Sequence, residues 1–272
     1  MKIGMCNELL KHQELKEAFK HLARLGYDGL EVAPWTINAA VTEISGEDAK
    51  RVRASAEAAG IKILGLHWVF GNTSEWHLTH PDAGVRRRTQ DYLEHIVRLC
   101  GQLGGKVVIF GSPNQRKVLE GVEPQRAWEY AKAILGGKAF LDLLEEYKVT
   151  FCLEPLSSNQ TNFLTKTEEV VRFVQEVRHP NFGMMLDGYT LEWAGEDAPT
   201  AIHQSAAYLK HFHADDETGK GPGYGKLDYM EIATALRAIK FTGYVSVEIH
   251  NYDLNPEECA SRCIQYLRRI FG

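Results

Sequence analysis

The chain has 272 residues, of which 44% are hydrophobic and 25% charged, and its formal net charge is −5. This length and apolar content are enough for one sizeable hydrophobic core, so we expect a single domain over residues 1–272. The excess of acidic over basic residues argues against nucleic acid as a partner, because proteins that bind phosphate backbones carry an excess of Lys and Arg.

The N-terminus and the cysteines predict a cytoplasmic protein. The first residues, MKIGMCNELL, lead into a strand-like run without the apolar stretch of a signal peptide, and no segment reaches the roughly 18 consecutive apolar residues of a membrane helix. We therefore expect no membrane partner. The five cysteines contain no CxxC pair, which favours reduced thiols over a disulfide framework or a zinc knuckle.

Short apolar runs alternate with segments of helical period, as in a parallel sheet with crossover helices. In chain order the predicted strands are residues 2–6, 29–33, 62–69, 106–111, 150–155, 182–187, 209–214 and 244–250. Independent helix signals are the capping pairs Ser45/Asp48, Thr165/Glu168, Asp228/Glu231 and Asn255/Glu258, and the first-turn prolines Pro124, Pro199 and Pro256. Eight such units without a linker predict an α/β fold, a closed (β/α)₈ or TIM barrel, with a doubly wound open sheet as the alternative.

In a barrel of this kind the functional groups project from the C-terminal ends of the strands. Predicted strands 5 to 8 end in Glu154, Asp187, His213 and Glu248, and neighbouring strands lie only about 4.8 Å apart, so the four side chains can converge on one ion. Each residue alone would be read as a helix cap or a surface ion pair. Carboxylates that follow buried runs, however, need a cation or a dense set of hydrogen bonds. Three oxygen donors and one imidazole favour a divalent metal, with Mn²⁺ ahead of Mg²⁺, Co²⁺ and Zn²⁺.

Other residues near the strand ends are candidates for substrate contact. His67 ends strand 3 and would point toward the same mouth, while Trp35 and Trp68 stand just past strands 2 and 3, where aromatic side chains pack against sugars or simply against the core. Glu31 ends strand 2, where it would contact substrate or orient a metal ligand. The loop at 71–81 is suited to a lid, and the Gly-rich segment 219–225 to a mobile loop.

The segments LGYDGLEV, LEP, LDG, HFHADD and SVEIH resemble the sugar phosphate isomerase/epimerase family, the xylose isomerase-like or AP endonuclease family 2 barrels. The resemblance covers nearly the whole chain. The family's ketose 3-epimerases imply that Glu154, Asp187, His213 and Glu248 bind one metal ion, and that Glu154 and Glu248 also exchange a proton with a carbohydrate or polyol substrate through a metal-stabilised enediolate. The family also implies a homo-oligomer, a dimer or a tetramer.

The chain departs from those epimerases at three positions that contact substrate. Where they usually carry Glu, His and Arg, this chain has Gln160, Thr190 and Gly219, and we take Gln160 as a substrate-binding candidate. A different polyol, keto acid, cyclitol or modified sugar becomes a better expectation than a plain ketohexose. The alternatives are a metal-dependent dehydratase of a cyclitol or keto acid, an endonuclease IV-like DNA repair enzyme, and a protein that binds its ligand without catalysis.

Overall fold

The apolar runs form parallel strands that close into a barrel in chain order in the computed structural model, which describes residues 1–71 and 73–272. The strands are β1 (Lys2–Cys6), β2 (Gly29–Val32), β3 (Lys62–Leu66), β4 (Val107–Phe110), β5 (Thr150–Leu153), β6 (Phe182–Asp187), β7 (Leu209–Ala214) and β8 (Tyr244–Val247). Pairing of β1 with β8, beginning at Lys2 with Tyr244, closes the ring. The predicted (β/α)₈ barrel is confirmed, and the open sheet is excluded.

Helices cover the outside of the barrel. The α-helices of the described chain are α1 (Leu15–Leu25), α2 (Gly46–Ala59), α3 (Ala83–Gln102), α4 (Pro124–Leu135), α5 (Lys138–Tyr147), α6 (Thr167–Val177), α7 (Gly188–Ala194), α8 (Ala198–Ser205), α9 (Tyr229–Ala238) and α10 (Pro256–Phe271). Short 3₁₀ turns lie at Asn7–Leu10, Pro34–Thr36, Val41–Glu43 and Asn114–Arg116. In the described chain these helices are either too short or too polar to cross a bilayer.

Three of the four predicted capping residues cap their helices. Ser45 accepts a hydrogen bond from the Asp48 N–H, and Asp228 and Asn255 accept bonds from the first turns of α9 and α10. The pair Thr165/Glu168 is wrong by one residue, because Lys166 is the N-cap of α6. Glu169, not Glu168, accepts the backbone N–H groups of Thr165 and Lys166. The carboxylate one position later is the one that faces back toward the cap.

Several predicted strands are too long at their C-terminal ends. The structure ends β3 at Leu66, β5 at Leu153 and β8 at Val247, two or three residues before the apolar runs end. A single further backbone bond holds the next residue: Glu154 N–H donates to Phe110 (N···O 3.3 Å) and Glu248 N–H to Ala214 (3.1 Å). Both glutamates therefore leave the ladder just where they reach the barrel mouth, which frees their side chains for the site.

The loop predicted as a lid packs against the barrel. The Trp76 ring stacks on Tyr92 with 4.0 Å between centroids, and Leu78 N–H donates to the Gln115 carbonyl at 2.7 Å. Asn72, within the same predicted loop, lies outside the described residues. The cysteines agree with the prediction of free thiols, since all five are buried and unlinked in the described chain.

Candidate active site

A cavity of about 260 Å³ opens at the C-terminal ends of the strands. It lies slightly below the range of about 300–1,000 Å³ typical of sites for drug-sized ligands, so it suits a small polar molecule. The candidate residues that line it are His67, Trp68, Glu154, Gln160, His213 and Glu248. Thr190, His250 and Tyr252 complete its polar wall.

The barrel register brings the predicted metal ligands together. Asp187 on β6 pairs directly with His213 on β7, and His213 pairs with Ser246, two residues before Glu248. Asp187 and His213 are both about 1% exposed, and Glu154 is 6% exposed. A dense group of carboxylates at this depth needs a compensating positive charge.

His213 lies between two carboxylates. Its Nδ1 is 2.8 Å from Glu248 Oε2, and its Nε2 is 3.2 Å from Glu31 Oε2. Burial opposes protonation of this imidazole, yet Glu248, Cys6 and Glu31 raise its pKa well above the usual value. Glu31 also accepts a bond from His211 Nε2 at 2.7 Å. His211 is buried and holds the Oε1 atom of Glu31.

Glu31 is placed to orient His213. It is fully buried, and although burial opposes ionisation, His211 and His213 hold its pKa well below the usual range. A carboxylate that holds one ring nitrogen of a histidine fixes the tautomer and leaves the other nitrogen free to bind a metal. The prediction that Glu31 orients a ligand therefore has a geometric basis, whereas Glu31 does not line the described cavity.

Replacing Glu31 by glutamine should weaken metal binding by about 10- to 100-fold, because the imidazole of His213 loses its charged partner. Isothermal titration of the metal-free protein with Mn²⁺ measures the effect. Glu43→Gln is the matched control, since Glu43 is exposed and distant from the cavity. Unchanged Mn²⁺ affinity in Glu31→Gln would show that Glu31 serves only the fold.

A second compact group lies beside the predicted ligands. Asp187, Asp215, Glu248 and His250 each place one donor atom within 4.8 Å of the others. His250 Nε2 is 3.2 Å from Asp215 Oδ2 and 3.9 Å from Glu248 Oε2. Among the described residues no such group contains all four predicted ligands together.

Glu154 is poorly stabilised as an anion in this site. Burial and the nearby charges of Asp187 and Glu248 raise its pKa to about 8. By contrast, His213 and His250 outweigh burial at Glu248 and hold its pKa at about 2. The two glutamates on one cavity thus differ in acidity, a feature of sites in which one carboxyl acts as acid and the other as base.

Gly111 is packed directly against Glu154. A Cβ atom on Gly111 would lie 1.8 Å from Glu154 Oε2, so Gly111→Ala must displace that carboxylate. We expect at least tenfold weaker Mn²⁺ binding in this variant, since a ligand displaced by more than about 0.5 Å leaves the required geometry. Gly46→Ala, where a Cβ meets nothing within 4 Å, is the control. Equal affinity of both variants for Mn²⁺, measured by titration, would place Glu154 outside the metal site.

His67 is held by a partner that sequence reasoning missed. Its Nε2 is hydrogen-bonded to Glu8 Oε2, and both side chains are almost completely buried. His67 Nδ1 has no hydrogen-bond partner among the described residues, while the residue lines the cavity. Burial lowers the pKa of His67, but Cys6 and Glu8 raise it well above the usual value. His67 therefore lies at the cavity wall with one ring nitrogen unpaired, and its contact with a substrate stays a prediction.

The remaining substrate-binding candidates differ in whether they line the cavity. Trp68 lines the cavity, whereas Trp35 packs edge-on against the Trp68 ring, with 5.3 Å between centroids, and does not itself line the described cavity. Gln160 lines the cavity, with its Oε1 held by the Ser157 N–H at 3.1 Å. Thr190 N–H donates to Asp187 Oδ1 at 2.6 Å, which caps α7 and orients a predicted ligand.

Arg116, in the loop that follows β4, has a structural role beside the cavity. Arg116 is fully buried, and its Nη1 donates to the Glu154 carbonyl at 2.6 Å. Burial lowers its pKa to about 10, although Glu154 opposes this effect. Arg116 therefore ties the β4 loop to the backbone of the catalytic candidate and is not available to a phosphate in solution.

Comparison with known proteins gives one consistent result. The family model described as "Xylose isomerase-like TIM barrel" matches residues 19–270. D-psicose 3-epimerase of Agrobacterium fabrum is 28% identical over 91% of this chain and 84% of that protein. The enzyme of the same name from Ruminiclostridium cellulolyticum is 27% identical over 86% of this chain and 78% of that protein. A crystal structure of D-psicose 3-epimerase in the presence of D-fructose superposes with a TM-score of 0.86 over 100% of both chains, at 21% identity.

Proposed function

Because the chain belongs to the xylose isomerase-like TIM barrel family, we propose that it is a divalent-metal-dependent sugar epimerase or isomerase in which Glu154 and Glu248 move the substrate proton. Its named relatives are epimerases, and the chain is an enzyme of that isomerase/epimerase class. The observation that carries the mechanism is the placing of two glutamates, the buried Glu154 and the half-buried Glu248, on the wall of one small cavity.

The donor set fits a divalent metal. Asp187 Oδ2 is buried and has no hydrogen-bond partner among the described residues, and Glu154 is surrounded by like charge. A cation bound by Glu154, Asp187, His213 and Glu248 would satisfy the unpaired oxygen and relieve this repulsion. Oxygen donors with one imidazole favour Mn²⁺, with Mg²⁺, Co²⁺ and Zn²⁺ as alternatives. When bound, such an ion supplies positive charge that stabilises an oxyanion developing on the substrate.

The side chains of this site provide the remaining chemistry. One glutamate takes the proton from the carbon next to the substrate carbonyl, and the other returns a proton to the opposite face. The glutamate that acts as base in one direction acts as acid in the reverse reaction. His67, held by Glu8, donates a hydrogen bond to a substrate oxygen from its free Nδ1.

The ligand set has a direct experimental test. If His213 is a ligand and His250 is not, His213→Ala should lower Mn²⁺ affinity at least tenfold, whereas His250→Ala should change it much less. The reverse order would assign the metal to the neighbouring group of Asp187, Asp215, Glu248 and His250. Thermal unfolding of both variants is measured first, so that loss of Mn²⁺ binding in a misfolded variant is not taken for loss of a ligand.

We propose a carbohydrate or polyol with a ketone as the substrate. Gln160 and Thr190 are neutral, Gly219 has no side chain, and Arg116 is engaged with the backbone, so these positions offer no charged contact for a phosphate. Free ketoses, inososes and other neutral keto compounds are therefore preferred over sugar phosphates. Chromatography after incubation with a panel of both kinds tests this preference, and conversion of sugar phosphates alone would contradict it.

Dehydration is the second candidate reaction. The same departures at Gln160, Thr190 and Gly219 leave room for a substrate other than a plain ketohexose, and a base next to a carbonyl also sets up loss of a β-hydroxyl as water. A conjugated, ultraviolet-absorbing enone would identify a dehydratase, and an isomeric ketose would identify an epimerase.

We further propose that residues 1–272 are one domain and that this domain forms a homo-oligomer. Light scattering tests the oligomeric state.

A further inference from the structure

A second cavity lies at the opposite end of the barrel from the candidate active site. It measures about 730 Å³ and is lined by residues from the N-terminal ends of the strands, including Thr150 and Tyr244. Buried Leu64, Val107 and Leu209 form an apolar floor. In barrels of this fold, catalysis takes place at the other face, so a ligand here would bind without being turned over.

The rim of this cavity is strongly basic. Its cationic side chains are Lys2, Arg53, Lys62, Lys106, Lys210 and Lys240. The one lining carboxylate, Glu57, is already paired with Arg53 at 2.8 Å. This concentration is unusual in a chain whose net charge is −5.

The five lysines of the rim lack carboxylate partners. Lysine ion pairs in the described chain are formed by Lys16, Lys20, Lys50, Lys132, Lys138 and Lys166, all of which lie outside this cavity. Lys2 is held in place by the Tyr244 ring, with its Nζ 4.6 Å from the centroid. Ammonium groups that surround one concave surface raise the local concentration of anions.

We propose that this basic cavity, defined by Lys2, Lys62, Lys106, Lys210 and Lys240, binds a small phosphate ester that carries two or more phosphate groups. Several lysines around one concavity match several phosphates better than one, and each contact is a charge-assisted hydrogen bond. The concave shape and apolar floor favour a compact molecule over an extended nucleic acid strand. The proposal does not depend on the reaction at the other face.

Titration calorimetry of the metal-loaded enzyme with 2,3-bisphosphoglycerate tests the proposal, with inorganic phosphate as the comparison. The bisphosphate should bind at least about tenfold more tightly than phosphate, and the double variant Lys62→Gln/Lys106→Gln should lose at least about tenfold in affinity. The control Lys20→Gln/Lys50→Gln removes the same charge from α1 and α2 and should bind as the unmodified enzyme does. Glu248→Gln should also retain binding, which separates this cavity from the active site.

Lysine acetylation followed by mass spectrometry locates the ligand. Bound bisphosphate should protect Lys62, Lys106 and Lys210, but not Lys20 or Lys50. Absence of saturable binding, binding unaffected in Lys62→Gln/Lys106→Gln, or protection confined to other lysines would overturn the proposal. Tighter binding of a single-stranded oligonucleotide than of the bisphosphate would also overturn it, in favour of a nucleic acid surface.

Discussion

Glutamine in place of Glu154 or of Glu248 should lower kcat for epimerisation by about 10³-fold, because each variant loses one of the two proton carriers. Glutamine keeps the shape of the side chain and one oxygen that can bind a metal, so the protein should fold and retain part of its metal affinity. KM should change much less than kcat, since the lost interaction acts mainly in the transition state. Steady-state kinetics on the preferred ketose measures both constants.

The exposed Glu43→Gln variant is the control for this loss, and its kcat should equal that of the unmodified enzyme. The double variant Glu154→Gln/Glu248→Gln should be about as slow as either single variant, because the two residues act as a unit. If one single variant kept more than about a tenth of the activity, the two-base mechanism would be wrong.

Removal of the metal should make stability depend strongly on pH. In the metal-free site, burial and neighbouring carboxylates raise the pKa of Glu154 from 4.5 to about 8. A carboxyl whose folded pKa is raised binds more protons in the folded than in the unfolded state, so stability falls as the pH rises from about 4.5 to about 8. The expected loss is on the order of several kcal/mol, which is a drop of about 10 °C in Tm.

The titration of His213 should also lower the stability of the metal-free protein as the pH rises over part of this range. Its pKa is raised in the folded state, so its contribution is fully present below the unfolded value of 6.5 and is lost as the pH rises toward the folded value. Glu248, with its pKa lowered to about 2, contributes a stability that is lost only as the pH falls below about 4.5. Between about 4.5 and about 8 the metal-free protein should therefore lose stability.

Scanning calorimetry between pH 5 and pH 8, with and without Mn²⁺, measures this dependence. Metal binding should remove most of the loss, because a cation stabilises the ionised carboxylates, and the gain in Tm from Mn²⁺ should grow with pH. Asp187→Asn is the matched variant, since it removes one neighbouring charge from Glu154, and its metal-free form should depend less on pH. A metal-free Tm that rises steadily across this range would contradict the account.

The sequence was sufficient to predict the fold because the apolar runs and the capping residues give independent and agreeing signals. Strand ends were less certain, since residues such as Val69 and Ile249 remain buried after the ladder has ended. Hydrophobicity alone does not separate a strand residue from a buried loop residue. The cap at Lys166 was missed for a related reason, because lysine is an unusual N-cap and Thr165 next to it is a common one.

The candidate site residues could be predicted from the sequence where they stand at the C-terminal ends of strands. The rule that functional groups stand at or just past the C-terminal ends of the strands identified Glu154, Asp187, His213 and Glu248. The same rule would have found Glu8 and Asp215, which follow β1 and β7 closely. Glu8 was missed because the buried Leu9 and Leu10 beside it suggest core packing, and its contact with His67 joins residues 59 positions apart. Such a pairing depends on barrel closure and is not encoded in local spacing.

The most direct test of the central claim is incorporation of solvent deuterium into a ketose, followed by NMR in D₂O. The metal-loaded enzyme should place deuterium on the carbon next to the carbonyl at a rate that depends on Mn²⁺, and the double variant Glu154→Gln/Glu248→Gln should abolish this exchange. Conversion of the ketose without deuterium incorporation, or exchange that is unaffected by removal of the metal, would contradict proton transfer by the two glutamates at a metal site.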